Sequence, residues 1–323
     1  MKKITRRTVL RVSGLAAASL ALSGYAPAGS ACVGNGFSDW LQQTFGKGSS
    51  ASSESTEAAA PDAGAASEAP AESADSSLPA YNADPLTGEP RRSNGRIVGV
   101  MVNNISNTQR QNARPQRGIG SADLLIESKV EGGISRFCAV YHDANAIPEV
   151  GPLRSGRDQF LQLLMPWQAL YYHDGESAPC TKFINVYNYS GLNIGGKSYF
   201  NTPTHPHVAH RDSRGRNVAY EHTEFTSGAN AGIGLEYPYE STFFRFADYR
   251  TGAENKMSGA AAAKTINIVH SDSYKTTFSY NRWDHLYKMS MYSRAAGAFE
   301  NTVDELTGKQ LGFTNLLVCF AGI

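Results

Sequence analysis

With 323 residues, 41% of them hydrophobic and 10% aromatic, the chain is long enough to bury the core of one large domain or two modest ones. Its 30 Lys and Arg against 29 Asp and Glu leave a formal net charge of +1, which excludes the basic footprint of a nucleic-acid-binding protein. Four cysteines without a C-x-x-C spacing argue against a structural zinc cluster, and Cys138, Cys180 and Cys319 allow at most one disulfide among them.

Residues 1–31 read as a signal peptide. Thr5, Arg6, Arg7, Val9 and Leu10 form a twin-arginine export motif ahead of an apolar Ala/Gly/Leu stretch from Val12 to Gly24, too short for a spanning helix of about 20 residues. The expected workplace is therefore the cell envelope, outside the cytoplasm. Two ends of the leader are open. Ala26-Pro27-Ala28 offers an ordinary small-residue cleavage site, whereas a lipid on Cys32 would tether the chain to a membrane surface. Cys32 follows Gly29, Ser30 and Ala31 without the leucine a lipobox uses, and the better-matching Leu22-Ser23-Gly24 is followed by Tyr25. Residues 32–80 are expected to be a disordered tether. From 49 to 80 they are nearly all Ala, Ser, Pro and acid with no Lys or Arg, a composition that buries no core and spans ~30 Å as a coil.

Residues 81–235 read as a first folded module. Ile97–Val102 is an apolar run ending in Asn103 and Asn104, expected as a buried strand. Leu124–Val130 and Ile134–Tyr141 flank Gly132-Gly133 and read as a hairpin with a two-residue turn, placing Lys129 opposite Arg136 and Glu127 opposite Cys138. That register gives one core face and one face carrying Glu127, Lys129, Glu131 and Arg136, either a solvated face laced by ion pairs or a binding surface. Next, Ser155 with Asp158 matches a capping box, so a helix is expected from Ser155 to near Pro166. Arg157 in its first turn calls for a compensating anion, supplied by Asp158 or by a bound carboxylate or phosphate held by Arg154, Arg157 and helix amides.

Residues 236–323 read as a second module. Thr265–His270, Leu286–Met291 and Asn315–Phe320 have strand patterning without long helices between them. The fold class expected is α+β, two modules with mixed or antiparallel sheets and a few helices. The last strand ends almost where the chain does, which leaves open a longer parent sequence.

Several stretches together resemble the DUF3048 or YerB-like family of bacterial envelope lipoproteins, whose function is unassigned. They are Asp84-Pro85-Leu86-Thr87-Gly88, Val100-Met101-Val102-Asn103-Asn104, Arg114-Pro115-Gln116, Glu131-Gly132-Gly133-Ile134-Ser135-Arg136-Phe137 and Gly151-Pro152-Leu153-Arg154-Ser155-Gly156-Arg157. The resemblance spans about Tyr81 to the C-terminus and implies two linked modules, a membrane tether and an extracytoplasmic site. Where the family usually has Pro-His-Asn before Tyr-Thr-Ser, this chain has Glu221-His222-Thr223 before Phe225-Thr226-Ser227. The histidine is kept and its neighbours differ.

Other motifs carry less. Gly191, Gly196, Lys197 and Ser198 fit P-loop spacing, but Pro203 soon follows and opposes the helix a phosphate cradle needs. His205, His207, His210 and Asp212 have metal-ligating side chains without a visible third ligand at fixed spacing, and no metal or other cofactor is expected. Gly175-Glu176-Ser177-Ala178 imitates a nucleophile elbow whose base would be His173 or His222. Glu127 and Glu131 lie ~13 Å apart along one strand, too far for paired glycosidase carboxylates. The reading these residues favour is a clamp for an anionic or polyhydroxylated envelope component, such as a cell-envelope glycan. Arg136, Arg154 and Arg157 would grip the anion, Glu131 would orient an arginine or accept sugar hydroxyls, and Asn103 and Arg114 would contribute second. A hydrolase would instead draw on His173, His222 and Glu131 or Ser177; a scaffold would use the charged hairpin as a contact surface.

Overall fold

The computed structural model describes residues 8–13, 84–193 (except 92, 94, 188 and 190), 198–199, 209–228, 244 and 261–320. Most of the leader, the tether with Cys32, the 236 boundary and both His205 and His207 lie outside the described residues.

Val98–Val102 (β2) consists of five buried residues, and Leu124–Lys129 (β3) and Ser135–Tyr141 (β4) are buried almost throughout. Strands this uniformly buried need cover on both faces, and the sheet has it. One face packs on Val98, Val100, Leu125, Phe137 and Tyr172, the other on Met101, Leu124, Ile126, Cys138 and Val140. Asp158–Leu164 (α1) lies over the second face, burying Phe160, Leu161, Leu163 and Leu164. Gly99 makes this approach possible, since a Cβ there would come within 2.6 Å of Leu164. α1 stops one residue before Met165-Pro166-Trp167, a single 3-10 turn, as Pro166 requires.

Leu170–His173 (β5), Gly191–Asn193 (β6) and Ser198–Tyr199 (β7) extend the sheet beyond β2, and Ala178–Tyr187 (α2) connects β5 to β6. His210–Arg211 (β8) and Glu224–Phe225 (β9) pair separately. Thr265–Ser271 (β10), Tyr274–Asn281 (β11), Leu286–Ser293 (β12) and Ala298–Asn301 (β13) form an antiparallel meander. Val303–Asp304 (β14) pairs with Lys309–Gln310 (β15), and Gly312–Phe313 (β16) with β12. Asn315–Phe320 (β17), as expected from sequence, then leaves the meander for the large sheet. Between β17 and β3, parallel to both, runs Thr8–Ser13 (β1), which falls inside the segment read as leader; a cleaved leader would take this strand with it. Ile268, Phe278, Met289, Met291 and Phe313 of the meander share one core with Val100, Val102 and Phe137, so residues on either side of 236 pack as one body.

Two local expectations are corrected. The hairpin turn holds three residues, Glu131–Gly133, closed by Val130 N–H donating to the Ile134 carbonyl at 2.8 Å, with Gly132 and Gly133 at φ 67° and 71°. One extra turn residue shifts the register by one, setting Lys129 opposite Ser135 and Glu127 opposite Phe137. Because strand side chains alternate, Arg136 points to the α1 side and Glu127 to the meander side, and the single charged face does not exist. The helix also starts later. Gly156 N–H donates to the Gly175 carbonyl at 2.9 Å and the Gly156 carbonyl accepts from Ser177 N–H at 3.2 Å. Their extended backbone leaves Arg157, at φ −137° and with no side-chain cap bond, as the N-cap residue.

Candidate functional site: an arginine cluster at the start of α1

The segment 150–156 is stitched between two partners. Leu153 N–H donates to Glu224 O at 2.8 Å, Asn103 N–H to Pro152 O at 2.8 Å and Arg154 N–H to Met101 O at 3.1 Å. Gly151, at φ 155°, fits because a Cβ would lie 2.7 Å from the Glu224 carbonyl. This stitching carries Arg154 and Arg157 past the end of β4, where Arg136 sits.

Arg136 is buried and its Nη1 donates to the Ser155 carbonyl, while its Nε has no partner. Burial first, then the Arg157 and Arg154 charges, push Arg136 down to about 10. Three guanidiniums therefore share one neighbourhood. Arg157 Nε donates to both Glu131 oxygens at 2.7 and 2.8 Å, and its Nη1 to the Gly156 carbonyl at 2.7 Å. Partial burial raises the Glu131 carboxyl, but the Arg157 hydrogen bond and the Arg157 and Arg136 charges outweigh it, so the net direction is down. Arg154 lies 3.7 Å from Glu221. Two carboxylates thus face three arginines, and both stand at the exposed edge, their side chains 65% and 40% accessible.

His222 adjoins this cluster through Glu221, yet it is buried and both ring nitrogens are engaged. Nδ1 meets Asn103 Nδ2 at 2.9 Å, and Nε2 donates to Gln111 Oε1 at 2.9 Å. Burial pushes its pKa to about 4. It is a neutral strut between Asn103 and Gln111, which places Asn103 as a support beneath the site. His173 is equally buried, donates Nδ1–H to the Gly175 carbonyl at 2.7 Å and is also lowered to about 4 by burial. It lies beneath Gly156, where a Cβ would come 3.1 Å from its ring. Glu131 bonds Arg157 and neither histidine, so His173, His222 and Glu131 are not assembled for proton transfer. Ser177 is a helix cap, its Oγ accepting from Cys180 N–H at 3.3 Å. Ser198 opens β7 rather than a helix.

Arg114 lies elsewhere. It donates to Asn104 Oδ1 at 3.0 Å, to the Asn104 carbonyl at 3.1 Å and to the Tyr292 carbonyl at 2.9 Å, joining the first sheet to the meander. Glu127, fully buried, accepts from Ser135 Oγ at 2.7 Å and Thr276 Oγ1 at 3.3 Å, with His270 Nε2 3.2 Å away at an angle short of a hydrogen bond.

Two groupings had no sequence signal because their members are far apart in the chain. Arg117 binds Glu149, Asp212 (2.8 Å) and Glu305 (3.0 Å), and Arg214 adds a second contact to Glu305 at 2.9 Å. The Phe225 ring lies beneath both guanidiniums. The second grouping borders Arg154: burial and the neighbouring Asp174 carboxylate push Glu224 up to about 7, against the opposing charge of Arg211. His210 pairs with Glu149 at 3.3 Å, and among the described residues no His, Cys, Asp and Glu group is placed to hold a metal ion. Nor is any described helix long and apolar enough to cross a membrane.

Residues 86–236 match the family described as "Protein of unknown function (DUF3048) N-terminal domain". This segment carries the resemblance to that YerB-like family. Over 247 residues the chain is 27% identical to "Putative lipoprotein YerB" of Bacillus subtilis (strain 168), covering 72% of this chain and 66% of that protein. The crystal structure of Bacillus subtilis YerB has the same fold, with a TM-score of 0.50 and 22% identity over 71% of each chain.

Proposed function

We propose that this chain is an envelope protein, tethered to the membrane through Cys32, that binds an anionic envelope component at the arginine cluster. One observation carries the reading: Arg136 and Arg157 both donate to the Ser155–Gly156 backbone beside Arg154, and the carboxylates paired with Arg157 and Arg154, Glu131 and Glu221, stand at the exposed edge. An anion with several oxygens satisfies such an excess of donors and relieves the repulsion among the guanidiniums. Glu131 then works as a positioning group. It holds the Arg157 fork in one orientation from the exposed edge, where it also reaches sugar hydroxyls. The YerB relative, itself named as a putative lipoprotein, supports the membrane anchor in this reading. Binding is favoured over hydrolysis because neither histidine has a free ring nitrogen in reach of the arginines' outer edge.

The purified full chain is to be titrated calorimetrically with phosphate- and carboxylate-bearing envelope glycans and with an uncharged glycan. The wild type is expected to bind the charged ones, and Arg154→Ala/Arg157→Ala to lose about 10-fold or more, as for charge-assisted hydrogen bonds of about 1.5–3 kcal/mol. Equal affinities would remove the clamp.

A further inference from the structure

The turn 281–286 between β11 and β12 holds an indole out into solvent. Trp283 is 80% exposed, although the backbone around it is fixed. Its N–H donates to Asn281 Oδ1 at 2.9 Å, Leu286 N–H donates to Asp284 Oδ1 at 3.2 Å, and Asp284 pairs with Lys288 at 2.6 Å. The Arg282 guanidinium lies over the indole, 4.4 Å from the ring centroid. Two tyrosines stand behind it. Tyr280 and Tyr287 pack with ring centroids 5.2 Å apart, and their hydroxyls reach His285 Nδ1 at 3.0 Å and the Ala263 carbonyl at 2.8 Å. Tyr280 N–H donates to the Lys264 carbonyl at 2.8 Å, which sets the exposed Lys264 beside them. Among the described residues neither Lys264 nor Arg282 pairs with a carboxylate. The tip thus joins three aromatic rings to an excess of positive charge.

Its place in the body decides what it meets. Ser271 Oγ donates to the Gly133 carbonyl at 2.7 Å, and Thr276 Oγ1 donates to Glu127 at 3.3 Å. These two contacts run β11 back along β3, away from the 131–133 turn, over eight residues or ~25 Å. The tip therefore lies toward the Asp123 end of β3, and the arginine cluster, which bonds Glu131, lies at the other. Asp84 is also at the Asp123 end, within the charge field of Asp123 and His142, which bond each other at 2.6 Å. The segment read as a tether joins the fold at Asp84, so it enters at the end that carries the aromatic tip. Trp and Tyr favour the boundary between lipid tails and water, where the ring is covered while its N–H or O–H stays wet. Lys and Arg beside them are drawn to anionic headgroups. We propose that the 281–286 tip, with Tyr280, Tyr287 and Lys264, docks on the anionic lipid surface of the membrane to which the chain is tethered. The proposal rests on the membrane anchor of the reading above and not on its anion clamp. Docking turns the arginine cluster away from the bilayer.

The test uses the full chain carrying Cys32→Ser, which removes the lipid site, with vesicles of phosphatidylcholine alone and of phosphatidylcholine mixed with phosphatidylglycerol. The bound fraction is read by sedimentation. Binding to the mixed vesicles is expected, weakened by salt and retained by Arg154→Ala/Arg157→Ala. Trp283→Ala should lower partitioning about tenfold. Lys264→Gln/Arg282→Gln should lower it about ten- to thirtyfold on the mixed vesicles. Both sets lie on the surface and should leave the melting temperature unchanged. Absence of binding to the mixed vesicles would overturn the proposal, as would both tip variants binding as the wild type does. Loss of vesicle binding in the double arginine variant would also overturn it, by assigning the membrane contact to the α1 cluster. So would a wild type that dimerises without vesicles and is made monomeric by Trp283→Ala, since the tip would then belong to a second copy. No arm carries Cys32 and none uses a glycan, so failure of the anchor or of the clamp is read separately.

Discussion

Glu127→Ala is expected to destabilise the protein by about 3–5 kcal/mol, the range for removing one member of a buried polar or ionic cluster. Glu127 is at 0% exposure where four strands meet. Ser135 on β4 and Thr276 on β11 donate to it, His270 on β10 lies 3.2 Å away, and Asn104 donates to Ser135 at 2.9 Å. Truncation leaves the two hydroxyls buried without an acceptor and removes the carboxylate that faces the His270 ring, at the seam between the large sheet and the meander. Against a total stability of about 5–15 kcal/mol for a domain, such a loss is severe. Glu127→Gln keeps one acceptor and should cost less. Glu131→Ala, on the exposed edge, should cost no more than about 1 kcal/mol of stability. Urea unfolding of the three variants checks the order; Glu127→Ala within 1 kcal/mol of wild type would contradict the role given to this cluster.

The second large effect is acid destabilisation through the buried histidines. His173 and His222 are each lowered from 6.5 to about 4 by burial. Below pH 6.5 the unfolded chain takes up protons at these positions while the folded chain does not. The stability they contribute is thus complete above pH 6.5 and is lost as pH falls toward 4. For His173 this amounts to about 3 kcal/mol. Glu224 works in the opposite sense, since its folded value of about 7 exceeds the ordinary 4.5. It favours the folded state as pH falls through the same window and makes the wild-type curve shallower. The lowered carboxyls of Glu131, Glu221 and Asp212 contribute above the ordinary carboxylate range and are lost only below it. A difference measurement isolates the histidine. His173→Asn loses stability at pH 7.5 but lacks the slope, so its gap from wild type should shrink by about 3 kcal/mol between pH 7.5 and 4. Parallel curves would show that His173 is not held neutral by the fold.

Much of the frame was legible because it rests on local pattern. The Val98–Val102 run, the two strands around Gly132-Gly133, the stop at Pro166 and the final strand Asn315–Phe320 all follow from apolar runs and their punctuation. The family resemblance came from the same motifs that form the turn and the 151–157 segment. What sequence hid was set by backbone partners far along the chain. Ser155 is no cap because Gly156 bonds to 175 and 177, and the hairpin register turned on one residue more in the turn. That single step separated Glu127 from Arg136 and gave each a different task. Arg136, Arg154 and Arg157 were legible as a group, and the register that sets Arg136 opposite Ser128 turns it to the α1 side. Arg114, read as a helper of that cluster, is instead fixed beneath the meander.

The central claim, that the guanidiniums at the start of α1 receive an anion, is tested most directly at those groups. Guanidinium Nε–H signals of the full chain, assigned by Arg→Lys variants, are to be followed by NMR during titration with a phosphate-bearing envelope glycan. The account predicts that Arg154 and Arg157 shift together and saturably while Arg117 and Arg214, engaged by their own carboxylates, stay in place. Unmoved Arg154 and Arg157 signals at a concentration where the glycan is bound would contradict it.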